Sequence, residues 1–476
     1  MKNLKRIFLL MLLLVTLIAC NKKPSGNKKS DLTGHITFLT SVGEEFSNNT
    51  ATATVKLYLP NPSADSLRMY KNDYPFVGSS INPILISDYR TLGEPIYSTT
   101  TNSDGDFTLT NINNGEYLFV YSSDNFGWHT KALIIDSNIN INLSMREKIE
   151  ISSTINENMT LGPDAYVEIS SNIGILSSAE VKILNNTVLT LNNTKISVMG
   201  SLNVEGLSTE PVIFTSSQNS PESGDWSGIE LTTSSISSIG NAIFQWSSTP
   251  ITCLSHSEID NIIIANSKVN AIYCENTSAN MKNITFYANN QSCYFSNVNT
   301  TSLQNNINKS LFMNTSHKAI YLLTSSPILT NSIFKKSDIH IDAYWDSFPT
   351  ISNCSFDNSD TYAITSSKQY DTIHNMIIKY NDFNDDNTLF FFNRGSYSNF
   401  TNNNFSCSDG YIFLLHFYYN GNIVNAQRNW WGTTNETEIQ NLIWDETDDP
   451  GGDNLGTVDY SHWKSNKISG TGPQNN

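Results

Sequence analysis

Charged side chains are scarce in this chain of 476 residues. Asp, Glu, Lys and Arg together make up 15% of it, and the formal net charge is −16. Arginine is rarest, since only Arg394 and Arg428 follow Arg146. A nucleic-acid-binding protein needs a basic surface that neutralises phosphates. The composition therefore argues against a nucleic-acid partner.

Several chemical signatures are also missing. The six cysteines include no C-x-x-C pair, and no Cys/His spacing is typical of zinc. We find no Ser/His/Asp motif and no glycine-rich phosphate loop. The sequence therefore predicts no cofactor, apart from the calcium ion that a polysaccharide lyase would use.

The longest apolar run, residues 7–18, lies at the N terminus behind Lys2, Lys5 and Arg6. It is too short for a comfortable membrane span and is typical of a signal peptide. The run ends in Leu-Ile-Ala-Cys, which resembles the bacterial lipobox. The resemblance implies that residues 1–20 are a lipoprotein signal peptide and that Cys20 carries a lipid.

The polar residues 21–31 then predict a flexible tether. The residue after the lipidated cysteine is Asn21, not Asp, which favours the outer membrane or the cell surface over inner-membrane retention. We therefore expect a protein of the bacterial cell envelope that contacts the membrane through the lipid on Cys20.

A repeat organises the chain between residues 239 and 431. Each unit has an apolar residue followed five positions later by a second one, and the second positions recur at steps of 20 to 27 residues. These second positions are Phe244, Ile264, Phe286, Phe312, Phe334, Phe356, Phe383, Phe405 and Trp430. A period of this length, built from short segments rich in Ile, Phe, Tyr and Thr, predicts a β-solenoid.

An asparagine follows the first apolar residue by two positions in six of the nine units, and Lys309, Tyr380 and Gln427 occupy three others. Asparagine tolerates left-handed backbone angles, and its amide can bond to an amide one coil away. We therefore predict a bend with an asparagine ladder. In the same register Cys253 and Cys274 face inward about 4.8 Å apart, as a disulfide or, as we expect, as two free thiols.

Residues 32–147 have the alternation of a β-sandwich. The segments Thr-Asn-Ser-Asp-Gly-Asp-Phe-Thr-Leu, from residue 101, and Tyr-Leu-Phe-Val, from residue 117, resemble the carboxypeptidase regulatory-like, transthyretin-like domain. The resemblance implies a spacer or weak binding module without catalysis.

Residues 150–432 resemble the right-handed parallel β-helices of the pectate-lyase-like superfamily. The resemblance rests on Pro-Val-Ile-Phe-Thr-Ser at 211–216, Trp-Ser-Gly-Ile at 226–229, Asn-Trp-Trp-Gly at 429–432 and Val-Asp-Tyr-Ser-His-Trp at 458–463. It implies an all-β protein, with an N-terminal β-sandwich and a right-handed parallel β-helix solenoid. It does not imply an activity, because that superfamily includes lyases, hydrolases, epimerases and adhesins.

The end of the solenoid needs a cap, and residues 433–463 include a short predicted amphipathic helix. We predict residues 464–476 to be a disordered tail. The last strands, 389–392 and 411–415, are apolar on both faces. We expect the helix and the Trp463 segment to cover their outer faces, and a stacking platform for sugar rings is the alternative.

The best candidate site combines Asp338, His340, Asp342 and Asp360. Asp338 and Asp360 occupy equivalent positions in neighbouring coils, and Asp338, His340 and Asp342 alternate with two Ile residues that we expect to point inward. The cluster could serve acid/base glycoside hydrolysis or bind calcium in a lyase, which would also need a Lys such as Lys335. The simpler alternative is a polar turn.

We therefore predict a lipid-anchored, non-catalytic scaffold that binds carbohydrate or surface matrix. The alternative is a polysaccharide lyase or glycoside hydrolase that uses the Asp338, His340, Asp342 and Asp360 cluster.

Overall fold

The computed structural model describes residues 28–46, 51–298, 304–367, 376–385, 387–393, 398–416, 423–449 and 456–474. It is all-β, with an N-terminal sheet region and a parallel β-helix of about 11 turns. The fold class that the sequence predicts is thereby confirmed.

The N-terminal region is a sandwich of two sheets. One sheet has the order β4-β1-β7 and the other β3-β2-β5-β6. The strands are β1 (Lys29–Leu39), β2 (Thr54–Tyr58), β3 (Tyr97–Thr100), β4 (Asp106–Asn113), β5 (Gly115–Ser123), β6 (Gly127–Ile135) and β7 (Ile139–Arg146). Residues such as Leu32, Ile36, Phe107 and Phe119 alternate along these strands and form a common core.

The segment between β2 and β3 contains the helices of the sandwich. Helix α1 (Pro62–Asp73) starts with Asn61, whose side chain accepts a hydrogen bond from the Ala64 amide at 2.9 Å, and proline occupies its first turn. Two short 3-10 helices follow, Pro83–Ile86 and Tyr89–Thr91. We call residues 59–96 the insert.

The solenoid has three faces, and each face is a sheet of parallel strands. Face 1 comprises β9 (Met159–Leu161), β12 (Glu180–Leu184), β15 (Ser201–Glu205), β22 (Ala279–Lys282), β25 (Asn306–Asn308), β27 (Ile328–Thr330), β29 (Thr350–Ser352), β31 (Ile377–Lys379), β34 (Asn399–Thr401), β37 (Ile423–Asn425) and β39 (Thr457–Asp459). Face 2 comprises β8 (Ile149–Ile151), β10 (Tyr166–Ile169), β13 (Val188–Leu191), β16 (Val212–Ser216), β23 (Thr285–Tyr287), β32 (Asp382–Asp385) and β35 (Asn404–Cys407).

Face 3 comprises β11 (Ile173–Ile175), β14 (Lys195–Val198), β17 (Gly228–Leu231), β19 (Ile251–Cys253), β21 (Asn270–Glu275), β24 (Gln291–Val298), β33 (Thr388–Asn393), β36 (Phe413–His416) and β38 (Ile443–Trp444). Strands β18 (Ile236–Gln245) and β20 (Ser257–Ala265) pass from face 1 to face 2. Strands β26 (Leu311–Ser325), β28 (Ile333–Tyr344) and β30 (Ser355–Ser367) pass from face 2 to face 3.

Phenylalanine rings form a continuous stack inside the tube. The rings of Phe312 and Phe334, and those of Phe334 and Phe356, lie 4.6 and 4.7 Å apart and within 4° of parallel. Phe286 and Phe383 extend the stack at both ends with the same 4.6 Å spacing. This confirms the predicted register, because equivalent residues of successive coils lie one above the next.

The corner between faces 1 and 2 is left-handed in all nine units. Six asparagines, including Asn241 and Asn283, have φ between 50° and 57°, and Lys309 and Tyr380 adopt the same conformation. In the ninth unit the residue at this corner is Arg428, not Gln427, and the interior aromatic is Trp431, not Trp430. The sequence prediction therefore placed the equivalent positions of the last coil one residue too early.

A second ladder lies one residue further along, inside the tube. Asn381 donates its side-chain amide to Asn403 Oδ1 at 3.0 Å, and Asn403 donates to Asn429 Oδ1 at 3.1 Å. The three side chains are fully buried or nearly so. Their hydrogen bonds satisfy the polar atoms that a tight corner brings into the interior.

The insert covers the outer side of face 2. Its buried residues, among them Leu67, Ile84 and Leu85, pack against outward-pointing Ile243 and Ile263 of the solenoid. Apolar residues on both sides of this contact exclude water. The sandwich and the solenoid therefore share a buried apolar interface.

The C-terminal segment closes the solenoid. Helix α2 (Glu436–Asn441) buries Ile439 in the interior cluster, and Tyr460 and Trp463 pack against the same cluster. The tail that we predicted to be disordered instead lies along the corner between faces 1 and 2. The amide of Ile468 donates to Asn404 Oδ1 at 2.8 Å, and the Gly472 amide donates to the Tyr380 carbonyl at 2.9 Å.

Cys253 and Cys274 are stacked in register and fully buried, and both thiols are free. Of the two alternatives from the sequence, the structure therefore has the pair of free thiols.

Candidate functional site

A strip of aromatic side chains runs along the outer side of face 3. Strand alternation places Ile272, Cys274, Cys293 and Phe295 inside the tube, so the side chain between each pair points outward. We define the aromatic strip as Tyr273, Tyr294, Tyr321, Tyr344, Tyr362, Phe391 and Trp444. Six of them are half-buried, and Trp444 is 36% exposed.

Ring contacts within the strip fall into two groups, one from Tyr273 to Tyr344 and one that joins Tyr362 to Phe391. Asp342 and Thr365 occupy the register positions between Tyr321 and Phe391. The rings of Tyr273 and Tyr294 lie 5.0 Å apart, as do those of Tyr294 and Tyr321, and Tyr344 follows at 6.2 Å. Trp345 stacks on Tyr344 at 5.2 Å and remains 40% exposed. The register from β21 to β38 crosses seven inter-strand steps, which at about 4.8 Å each gives a strip of roughly 34 Å.

An ion pair lies in the middle of the strip. Lys318 Nζ is 2.5 Å from Asp342 Oδ2, and the ammonium lies 4.2 Å from the centre of the Tyr321 ring. Thr365 donates a hydrogen bond to the other Asp342 oxygen at 2.7 Å. Partial burial and the nearby Asp342 carboxylate raise the pKa of Tyr321 to about 12, so its phenol remains a hydrogen-bond donor at neutral pH.

His340 does not lie on the outer face, contrary to the prediction. Its side chain is fully buried between Phe334 and Phe356, with ring centres 6.0 Å away on each side. Burial lowers the pKa of His340 to about 3, and a hydrogen bond with the Asp357 backbone acts in the opposite direction. The imidazole is therefore neutral and is shielded from solvent.

A shift in strand register explains the error. The pairing between β28 and β30 slips between Ser337 and Ile339, where the chain turns from face 2 to face 3. Such an irregularity interrupts the alternation of side chains locally, and the predicted pattern resumes at Ile341. Ile339 is thereby half-exposed, while His340 points inward.

The three aspartates occupy different environments. Asp338 accepts a hydrogen bond from the Thr361 hydroxyl and lies 3.5 Å from His317 Nδ1. Asp342 belongs to the ion pair with Lys318, and Asp360 is exposed in the next coil. The structure thus brings Asp338 and Asp360 to equivalent positions, and the basic neighbours are His317 for Asp338 and Lys318 for Asp342, not His340.

Sequence reasoning missed the tyrosines. The signal was present, because Tyr273, Tyr294 and Tyr321 each lie between two apolar residues at solenoid spacing. It also assigned the wrong cover to the last strands. Phe391 stacks on Tyr362 at 5.0 Å and stays half-exposed, since helix α2 closes the end of the tube and not its side.

Cys20 lies outside the described residues. Within the ranges described above, no cluster of three or more His, Cys, Asp or Glu side chains could hold a metal ion. No helix in those ranges has the length and hydropathy of a membrane span. Comparisons of the chain with protein-family models, with curated proteins and with solved structures gave no match.

Proposed function

We propose that this protein binds an extended carbohydrate chain along the aromatic strip and catalyses no reaction there. The observation that carries the proposal is the row of outward tyrosines on a rigid parallel sheet. Aromatic rings bury large apolar areas, and the hydroxyl of tyrosine still reaches a polar partner. Sugar rings have the matching surface, with C–H groups on their faces and hydroxyls at their edges.

The length and rigidity of the strip favour a polymer over a small molecule. A strip of about 34 Å offers several ring-sized contacts in a line. Within each of the two groups the rings already touch, so little side-chain entropy is lost there on binding. A preorganised aromatic surface of this kind suits a ligand that repeats along its length.

The charge of the strip favours a neutral carbohydrate. Lys318 is engaged with Asp342 and Tyr321, so the strip offers an anionic ligand no uncompensated cation at this point. The chain as a whole carries a formal charge of −16. Acidic polysaccharides would therefore meet repulsion, screened only in part by salt.

We also propose that the protein binds its ligand in the bacterial cell envelope. A lipid on Cys20 would hold the chain in the bacterial cell envelope, at the outer membrane or on the surface. The tether would be shorter than the predicted residues 21–31, because strand β1 already begins at Lys29. The sandwich would then serve as a spacer, as the resemblance to carboxypeptidase regulatory-like domains implies. This arrangement would present face 3 to glycans or surface matrix.

A glycan-array screen, followed by isothermal titration calorimetry, tests the proposal. The double variant Tyr294→Ala/Tyr321→Ala should bind the best neutral oligosaccharide roughly tenfold to thirtyfold more weakly, as expected for central aromatic contacts. Tyr97→Ala, which removes a half-exposed tyrosine from the sandwich, is the matched control. Equal affinity of the double variant and the wild type would refute a binding role for the strip.

A polysaccharide lyase or glycoside hydrolase remains the second candidate, and one observation favours it. Lys318 lies beside Asp342 on face 3, and a lyase needs a basic residue next to its acidic site. If this candidate is correct, purified protein releases unsaturated or reducing ends from a glycan, with added calcium in the lyase case. The Asp360→Asn variant would then lose that activity, and product formation by the wild type would overturn the non-catalytic proposal.

A further inference from the structure

A cleft separates the insert from the corner between faces 1 and 2. Its volume is about 440 Å³, within the usual range for small-molecule sites. Phe76 and Ser80 of the insert line one side, and Asn241, Asp260 and Asn283 of the solenoid line the other. The cleft thus combines one aromatic ring with amide and carboxylate groups.

Hydrogen bonds fix the insert side of the cleft to the solenoid side. The Gly78 amide donates to the Lys309 carbonyl at 2.8 Å, and the Ser79 amide donates to the Thr285 hydroxyl at 2.9 Å. The Ser79 hydroxyl donates to Asn261 Oδ1 at 3.0 Å. A Cβ at position 78 would lie only 2.6 Å from the same Thr285 hydroxyl, so the glycine permits this close approach. The cleft is therefore formed before any ligand arrives.

The corner asparagines already bind polar groups of the insert and of the C-terminal tail. Asn261 accepts hydrogen bonds from the Ser79 hydroxyl and from the Ser80 amide, and Asn331 accepts one from the Gln474 amide of the C-terminal tail. The same column therefore accepts hydroxyl and N–H donors from other parts of the chain. Inside the cleft, Asn241 Oδ1 accepts from the Asn261 side chain, and the Asn283 side chain donates to Asp260 Oδ1 at 2.8 Å. A ligand would therefore use Asn241 Nδ2, Asn283 Oδ1 and Asp260 Oδ2.

We infer that this cleft is a second ligand site, specific for a single neutral sugar residue. The Phe76 ring would pack on the C–H face of the sugar, while Asn241, Asn283 and Asp260 would bond to its hydroxyls. Among the described residues, the lining contains a carboxylate and no Lys, Arg or His, so a uronic acid would be disfavoured. The site adjoins the insert and not face 3, and does not depend on the function proposed for the aromatic strip.

Saturation-transfer NMR on the full chain tests the inference, with methyl glycosides of glucose, galactose, mannose and N-acetylglucosamine as probes and glucuronate as the acidic comparison. At least one neutral glycoside should receive saturation, and glucuronate should receive less. Asn283→Gly removes a lining amide and keeps the left-handed backbone (φ 54°) free of strain. It should raise the Kd of that glycoside by roughly tenfold, and Asp260→Ala should also weaken binding.

Asn353→Gly is the matched control, because Asn353 has the same φ of 54° in the same column but does not line the cleft. It should leave the Kd unchanged, as should the strip variant Tyr294→Ala/Tyr321→Ala. Saturation that survives both cleft substitutions would place the bound sugar elsewhere and overturn the inference. Absence of saturation with every neutral glycoside would also overturn it, whatever the result for the strip.

Discussion

A left-handed backbone conformation at a corner destabilises the fold, by an amount that depends on the residue type at that position. Lys336 has φ of 56° at the corner between faces 2 and 3, and its side chain is exposed. A left-handed conformation costs an ordinary L-residue about 1–2 kcal/mol, and asparagine less. We therefore expect Lys336→Asn to raise the free energy of unfolding by up to about 1 kcal/mol, measured by urea denaturation.

The control is Lys282→Asn, which makes the same substitution at an exposed position in extended strand β22. Asparagine is a weaker strand former than lysine, so this variant should gain no stability. An equal gain from both variants would mean that charge, and not the backbone angle, is responsible.

His340 makes the stability of the protein depend on pH. Its pKa falls from 6.5 to about 3 on burial, so below pH 6.5 the unfolded chain binds a proton that the folded chain excludes. The contribution of His340 is therefore constant above pH 6.5 and is lost as the pH falls towards 3. The loss should approach about 1.4 kcal/mol per pH unit.

His340→Leu removes this titration. Between pH 6 and pH 4 its free energy of unfolding should decrease less steeply than that of the wild type, as measured by urea denaturation at each pH. Phe356→Leu, which alters the neighbouring ring without removing a titrating group, should shift the curve without changing its slope. Parallel curves for His340→Leu and the wild type would contradict the assignment of the buried imidazole.

At the level of elements, a buried ion pair fixes the insert to the solenoid. Arg90 pairs with Asp88 at 2.6 Å, donates to the Ser216 carbonyl at 2.5 Å, and is 7% exposed. Removing one partner of a buried pair leaves a charge without compensation and costs about 3–5 kcal/mol. We expect Asp88→Ala to cause a loss of this size, measured by thermal and chemical denaturation.

The comparison for this variant is Asp65→Ala. Asp65 pairs with Arg68 at 3.0 Å on the surface of helix α1, where both side chains are at least 40% exposed. Surface pairs contribute about 1 kcal/mol or less, and salt screens them. Similar losses of stability from the two substitutions would show that the buried Arg90–Asp88 pair contributes no more than the exposed pair.

The sequence predicted the elements better than their corners. The apolar spacing was sufficient to predict the stack of rings that includes Phe334, because interior packing requires apolar residues at those positions. A second left-handed column, which includes Trp246, Asn266, Ala288 and Lys336, was not detected. Its residue types vary, since tertiary packing enforces the conformation there. The predicted orientation of His340 was wrong for a related reason, because the local sequence does not indicate a shift in strand register.

At the scale of the whole molecule, the sandwich and the solenoid depend on each other for burial. Apolar residues on the outside of face 2, such as Ile213, Ile243, Ile263 and Leu311, are covered by the insert. Soluble proteins rarely expose continuous apolar patches larger than a few hundred Å². The cleft beside Phe76, which the sequence could not predict, also exists only because the two parts are docked.

Deletion of residues 28–147 tests this dependence. The remaining solenoid keeps its interior stack but exposes the apolar side of face 2, so we expect aggregation, measured by size-exclusion chromatography with light scattering. Replacing Ile213, Ile243 and Ile263 by Thr in the deleted chain should restore a monomer, because threonine favours strands and is polar. A monomeric deletion variant without these substitutions would show that face 2 needs no cover, and that the two parts of the chain are docked without being interdependent.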